Sequence, residues 1–111
     1  MDKDEIYIAE IKEFCRKIIG FMLDISYEDF IRDEKLQLAI TKLIENIGEA
    51  SKRLSADARE RYPNVEWNKA LAMRNRLVHD YMDVDLAIVF DVATYEVPLL
   101  LKELDTSKLG L

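Results

Sequence analysis

The strongest constraint on this chain is the spacing of its apolar residues. They recur every three or four positions almost from end to end, and nowhere do they alternate in twos. With Ile6 taken as 0°, Tyr7, Ile8, Ile11, Phe14, Cys15, Ile18, Ile19, Phe21 and Met22 fall on an arc of about 60° to 220°. Glu10, Lys12, Glu13, Arg16 and Lys17 fall on the opposite side. The spacing predicts a helix over residues 4–23. An arc this wide suits a helix covered on two sides, by two neighbours or by one neighbour and a second subunit. Cys15 sits in the middle of the arc, the place for a small buried hydrophobe and not for a nucleophile.

The rest of the chain divides on the same rule. Ser26, with Asp29 three residues on, resembles a capping box and opens a short helical turn over 27–32. A long helix comes next, over 34–54, with Leu36, Ala39, Ile40, Leu43, Ile44, Ile47, Ala50, Ser51 and Leu54 on one arc. Gly48 borders that arc and would let another backbone approach closely. Glu45 and Glu49 point away from its centre, as solvated residues do. Ser55 is an N-cap for a short helix that Pro63 ends. Asn64 is a candidate cap for a helix over 66–79, with Trp67 as a packing anchor near its start. Residues 80–85 form a polar break, and Asp83 or Asp85 can cap the last helix. Pro98 should kink or end that helix, and the tail from Thr106 should fray.

With 111 residues, half of them hydrophobic, the chain has the size and the core of one domain spanning 1–111. Three glycines and two prolines are too few for an all-β fold with many tight turns. The reading is an all-α fold, a compact antiparallel bundle of four to five helices with short connectors. No apolar run is long enough for a membrane span. The acidic, polar N-terminus is unlike a secretory signal. A lone cysteine forms no internal disulfide, which points to a reducing cytoplasm.

A net charge of −6 speaks against nucleic acid binding over the whole surface. Residues 52–76 nevertheless carry seven Lys or Arg against three acids, a local surplus of positive charge. That is either an ordinary solvated face or an anion-binding patch leading into Arg74-Asn75-Arg76-Leu77-Val78-His79-Asp80-Tyr81. This stretch holds the only histidine. On a helix, Ala70, Leu71, Leu77 and Val78 share an arc with Arg74 at its centre, and Tyr81 lies about 20° from Arg74. An arginine there requires a carboxylate of this chain, one of a second chain, or a phosphate.

No zinc spacing, dinucleotide-binding fingerprint or phosphate-binding glycine loop is present, so neither a metal nor a cofactor is expected. Arginine offers a planar fork for phosphate oxygens, and histidine moves protons near neutrality. Together they suit metal-free RNA cleavage. His79 would take the proton of a 2′-hydroxyl or protonate the leaving oxygen, and Arg74 would stabilise the charge on phosphorus. On one straight helix, however, His79 lies about 140° from Arg74. Either the helix unwinds before His79 or two chains supply complementary halves. A homodimer would also provide the second imidazole that acid and base catalysis in one step requires.

Arg74-x4-His79-x-Tyr81 resembles the signature of the HepT-like branch of the HEPN superfamily. The likeness extends in order through Ile44-Glu45-Asn46-Ile47-Gly48-Glu49-Ala50, Arg61-Tyr62-Pro63, Trp67, Met73 to His79, Val84-Asp85 and Pro98. The resemblance implies a dimeric helical bundle whose two motifs face a shared cleft, acting as a metal-independent toxin ribonuclease on cellular RNA, tRNA included. In that role Arg74 and His79 would be catalytic, with Asn75 and Arg76 supporting or binding RNA. It also implies an MntA-type minimal nucleotidyltransferase as antitoxin partner, which transfers AMP to the tyrosine, here Tyr81. The alternatives are a non-catalytic subunit presenting nucleotide or substrate to that transferase, and a plain structural dimer whose Arg74 is paired internally.

Overall fold

Two helices of 19 residues, α1 (Lys3–Phe21) and α3 (Glu34–Lys52), carry the core. The computed structural model describes residues 2–80 and 83–106, with residues 78–80 described by their backbone. Each long helix starts on an aspartate: Asp2 accepts from the amide of Glu5 at 2.8 Å, and Asp33 from that of Leu36 at 3.0 Å. α1 buries Ile8, Ile11, Cys15 and Ile18, and α3 buries Ile40, Ile44, Ile47, Gly48, Ala50 and Ser51. The two pack along each other. The arc expected of α1 is therefore right at its centre and too wide at one edge, since Phe21 is exposed.

After α1 the chain turns through Asp24, whose φ of 60° is one that aspartate tolerates better than most residues. It then enters α2 (Tyr27–Phe30) through the expected capping box of Ser26 and Asp29. Phe30 is fully buried. α4 (Ala56–Glu60) starts on Ser55 as expected. The carboxylate of Asp4 also binds Ser55, accepting from its amide at 3.0 Å and its hydroxyl at 2.7 Å, which ties the start of α1 to the start of α4.

The segment predicted as one helix over 66–79 is built differently. α5 (Trp67–Leu71) and α6 (Met73–Leu77) are five residues each, separated at Ala72. Asn64 is not the cap; the N-cap position is Glu66, without a side-chain hydrogen bond. Helix gives way to strand at Val78. β1 (Val78–Asp80) pairs antiparallel with β2 (Asp83–Val84), Val78 opposite Val84 and Asp80 opposite Asp83. This small hairpin was not expected, because strands this short carry no alternation to read. The amide of Asp85 closes it on the carbonyl of Leu77 at 2.7 Å.

Asp85 then caps α7 (Leu86–Asp91), accepting from the amide of Ile88 at 3.1 Å. Pro98 neither ends nor interrupts the helical path. The chain widens into a π-turn over Val92–Glu96 and continues as α8 (Val97–Thr106). The amide of Val97 bonds to the carbonyl of Val92, five residues back. Widening one turn upstream is one way a helix can accommodate a proline that lacks a donor and crowds the preceding turn. It also puts Val92 and Val97 both in the core, where five residues of α-helix would set them about 140° apart. α8 packs back on α1, with Lys12 and Asp105 paired at 3.1 Å. The fold is thus an all-α bundle with one two-stranded hairpin, and none of its described helices is long and apolar enough to cross a membrane.

Candidate functional site

The motif segment lies between α3 and the α7–α8 rod. Its inner side is Ala70, Met73 and Leu77, all buried. Met73 was not expected on that stripe. Met73 lies about 60° back from Ala70, so including it rotates the stripe and leaves Arg74 at its edge. Arg74 is exposed, and so is Asn75. The buried arginine anticipated at the stripe's centre is therefore corrected. Among the described residues, no carboxylate forms an ion pair with Arg74.

Arg76 behaves in the opposite way. Its guanidinium grips Glu96 with two parallel hydrogen bonds, Nη1 to Oε1 and Nη2 to Oε2, each 2.6 Å. Both side chains are largely shielded, 32% and 18% exposed. These hydrogen bonds are the main cause that holds the Glu96 carboxyl below its ordinary range and Arg76 above its own, with burial opposing the shift in each. Glu96 escaped the sequence reading. The available signal was an acid at the border of an apolar stripe, between Ala93 and Leu100, but its partner lies 20 residues away.

His79 is the central residue of β1, so its backbone belongs to a strand and not to the helix that carries Arg74. The helix unwinds before His79, which was one of the two ways of lifting the 140° misalignment. The side chain of His79 and the whole of Tyr81 lie outside the described residues, as does the tail beyond Thr106.

Most of the basic side chains over residues 52–76 are engaged. Lys52 pairs with Glu49 at 3.5 Å and Lys69 with Glu66 at 3.0 Å. Arg59 donates to the carbonyl of Leu54 at 3.1 Å, and Arg53 lies over the Tyr7 ring at 5.9 Å. Trp67 is the anchor expected: its indole donates to the carbonyl of Arg59 at 2.9 Å, and its ring meets Tyr62 edge-on.

A cavity of about 70 Å³ beside α5, lined in part by Val65, Met73, Leu100 and Glu96, is far below the volume of a small-molecule pocket. A more open groove of about 350 Å³ runs past the hairpin, with Gln37, Thr41 and Lys42 on its polar side and Leu38, Val84 and Leu86 on its apolar side. Among the described residues no three His, Cys, Asp or Glu converge as metal ligands.

Arg74 thus stands exposed on a short helix of a helical bundle, and the backbone of His79 lies in the strand that follows it. Comparison with known proteins gives the family: the chain belongs to the ribonuclease HepT-like family, the HepT-like branch of the HEPN superfamily, matched over residues 7–106. A Methanocaldococcus jannaschii protein named as a candidate RNase is 35% identical over 99 residues, covering 89% of this chain and 82% of the relative. A Thermococcus cleftensis protein named a probable ribonuclease HepT is 34% identical over 94 residues, covering 85% of this chain and 86% of the relative. A second M. jannaschii protein, named for a gamma-glutamylcyclotransferase and a candidate RNase, is 35% identical over 105 residues, covering 94% of this chain but 47% of the relative. No solved structure was found to match.

Proposed function

We propose that the chain is a ribonuclease that cuts RNA at Arg74 and His79 without a metal ion. The observation that carries this reading is the break after Leu77. It takes His79 off the helix of Arg74 and leaves Arg74 exposed, with no carboxylate among the described residues to occupy it. The names of the relatives support the same activity. An imidazole removes the proton of a 2′-hydroxyl, whose oxygen attacks phosphorus. The bond to the 5′-oxygen breaks, that oxygen takes a proton, and a cyclic phosphate is left. The Arg74 fork holds the phosphate oxygens as charge builds on them.

One histidine per chain cannot take and give a proton in the same step, so the working unit is a homodimer. The exposed Leu38 in the groove beside the hairpin offers apolar surface for such a contact. Asn75, exposed beside Arg74, is a further RNA contact. We place the protein as the toxin of a pair whose partner, an MntA-type nucleotidyltransferase, adds AMP to Tyr81. The added phosphate would engage Arg74 and repel RNA.

The test is cleavage of cellular RNA by the purified protein with a chelator present, beside His79→Ala. Chelator-resistant cleavage lost in His79→Ala is expected. Activity restored only by a divalent ion would overturn metal independence. Intact RNA together with tight binding of the transferase would favour the non-catalytic subunit. Sedimentation showing a stable monomer at micromolar concentration would remove the shared site. Intact mass after incubation with ATP, magnesium and the transferase should show AMP on Tyr81.

A further inference from the structure

We propose that the Arg76–Glu96 fork is a positioning latch that sets where His79 stands relative to Arg74, with neither latch residue touching RNA. This rests on the assignment of Arg74 and His79 as the catalytic pair. Arg76 stands two positions after Arg74, about 200° of helix rotation, so the two arginines leave α6 on opposite sides. Arg74 goes to solvent and Arg76 goes inward to Glu96. Arg76 is also the last residue but one before the helix becomes the strand that carries His79. A second tether acts at the same point, the 2.7 Å bond from the Asp85 amide to the Leu77 carbonyl. Together the two tethers fix the place and direction in which the chain leaves the helix.

The other half of the latch is equally specific. Glu96 is the last residue of the π-turn, and the extra residue in that turn rotates the downstream side chains relative to a regular helix. Glu96 is thereby presented to α6 while Val92 and Val97 both stay in the core. A planar two-point grip restrains orientation as well as distance, which a lysine cannot do. If Arg76 bound RNA instead, its phosphate would have to displace a shielded carboxylate 2.6 Å away.

The test uses the full-length protein with Glu96→Gln, Arg76→Lys, and the exchange of Arg76→Glu with Glu96→Arg. Misplacing a catalytic group by about 1 Å costs on the order of a hundredfold in rate. Glu96→Gln, nearly isosteric, should therefore lower kcat roughly ten- to a hundredfold with KM nearly unchanged. Arg76→Lys should retain only part of the wild-type rate, and the exchange should retain most of it. A lower KM in Glu96→Gln would mean that freed Arg76 binds RNA, and would overturn the latch. So would an exchanged protein that folds but stays as slow as Glu96→Gln.

His79 is the only histidine, so its imidazole gives a single set of NMR signals that needs no activity to read. These signals should shift or split in Glu96→Gln, and unchanged signals would overturn the proposal. If the wild type cleaves no RNA, the catalytic reading fails, and the His79 signals still decide whether the latch exists.

Discussion

In α1 and α3 each helix has 19 residues, an aspartate cap and a row of fully buried isoleucines. From Trp67 to Val84 the elements are two helices of five residues and a hairpin of three and two residues. Helices of that length are marginal alone, and α5 has no side-chain cap. The long pair is held by its own burial. The motif segment is held from outside, by α3 beneath it, by Glu96, and by the bond between Asp85 and Leu77. Working residues tend to sit in the less stable part of a fold, where small shifts are tolerated. Here that part is short and tied at specific points.

The two regions should answer mutation differently, and the largest contrast is in activity. His79→Ala should lower RNA cleavage more than about a hundredfold, because acid–base groups contribute at least that much, while the thermal midpoint stays put. Arg74→Ala should do the same. An active His79→Ala protein would remove His79 from the chemistry. In the scaffold, Ile44→Ala leaves a cavity at a fully buried site and should cost roughly 2–5 kcal/mol in urea unfolding. A loss confined to activity would show that α3 is not the shared foundation.

Removing the Asp85 cap by Asp85→Ala should cost about 1 kcal/mol globally and open the hairpin amides to hydrogen exchange ahead of the α1 amides. Acid provides a subtler separation. Because the Glu96 carboxyl titrates below its ordinary value in the folded protein, the stability it lends is present above about pH 4.5. That stability is lost as pH falls through the lower folded value. Hydrogen exchange should therefore rise in α6 before α1 on acidification, and Glu96→Gln should abolish that step.

The smallest expected effect is at Gly48. A methyl there would meet the Ala70 carbonyl oxygen at 3.6 Å and the Arg74 amide nitrogen at 3.9 Å, ordinary contacts. Gly48→Ala should stabilise α3 by up to about 1 kcal/mol and leave cleavage intact. A bulkier Gly48→Leu should push the motif away and lower activity.

These differences also mark where the sequence could be read. α1, α3 and the caps at Ser26, Ser55 and Asp85 were legible because the signal and the structure lie within a few residues of each other. The family was legible because its motif residues stand in order. The break after Leu77 was anticipated only as one of two remedies for a geometric misfit, and the strand beyond it was not. Its stability comes from Val84 and Asp85 across the turn, which no helical period reports. The π-turn was missed because Pro98 was read as a kink or an end of the helix, although a wider turn upstream can absorb it. Glu96 was missed because an ion pair spanning 20 residues leaves no local pattern.

Cys15 makes opening of the scaffold measurable. Burial pushes its thiol up to about 12, so at neutral pH it is both protonated and shielded. A thiol-reactive dye can reach it only when α1 lifts out of the core. With no second cysteine in the chain, the labelling rate counts openings of the whole bundle and is blind to fraying around His79. The protein thus carries a built-in clock for its scaffold, against which any faster motion of the motif can be timed.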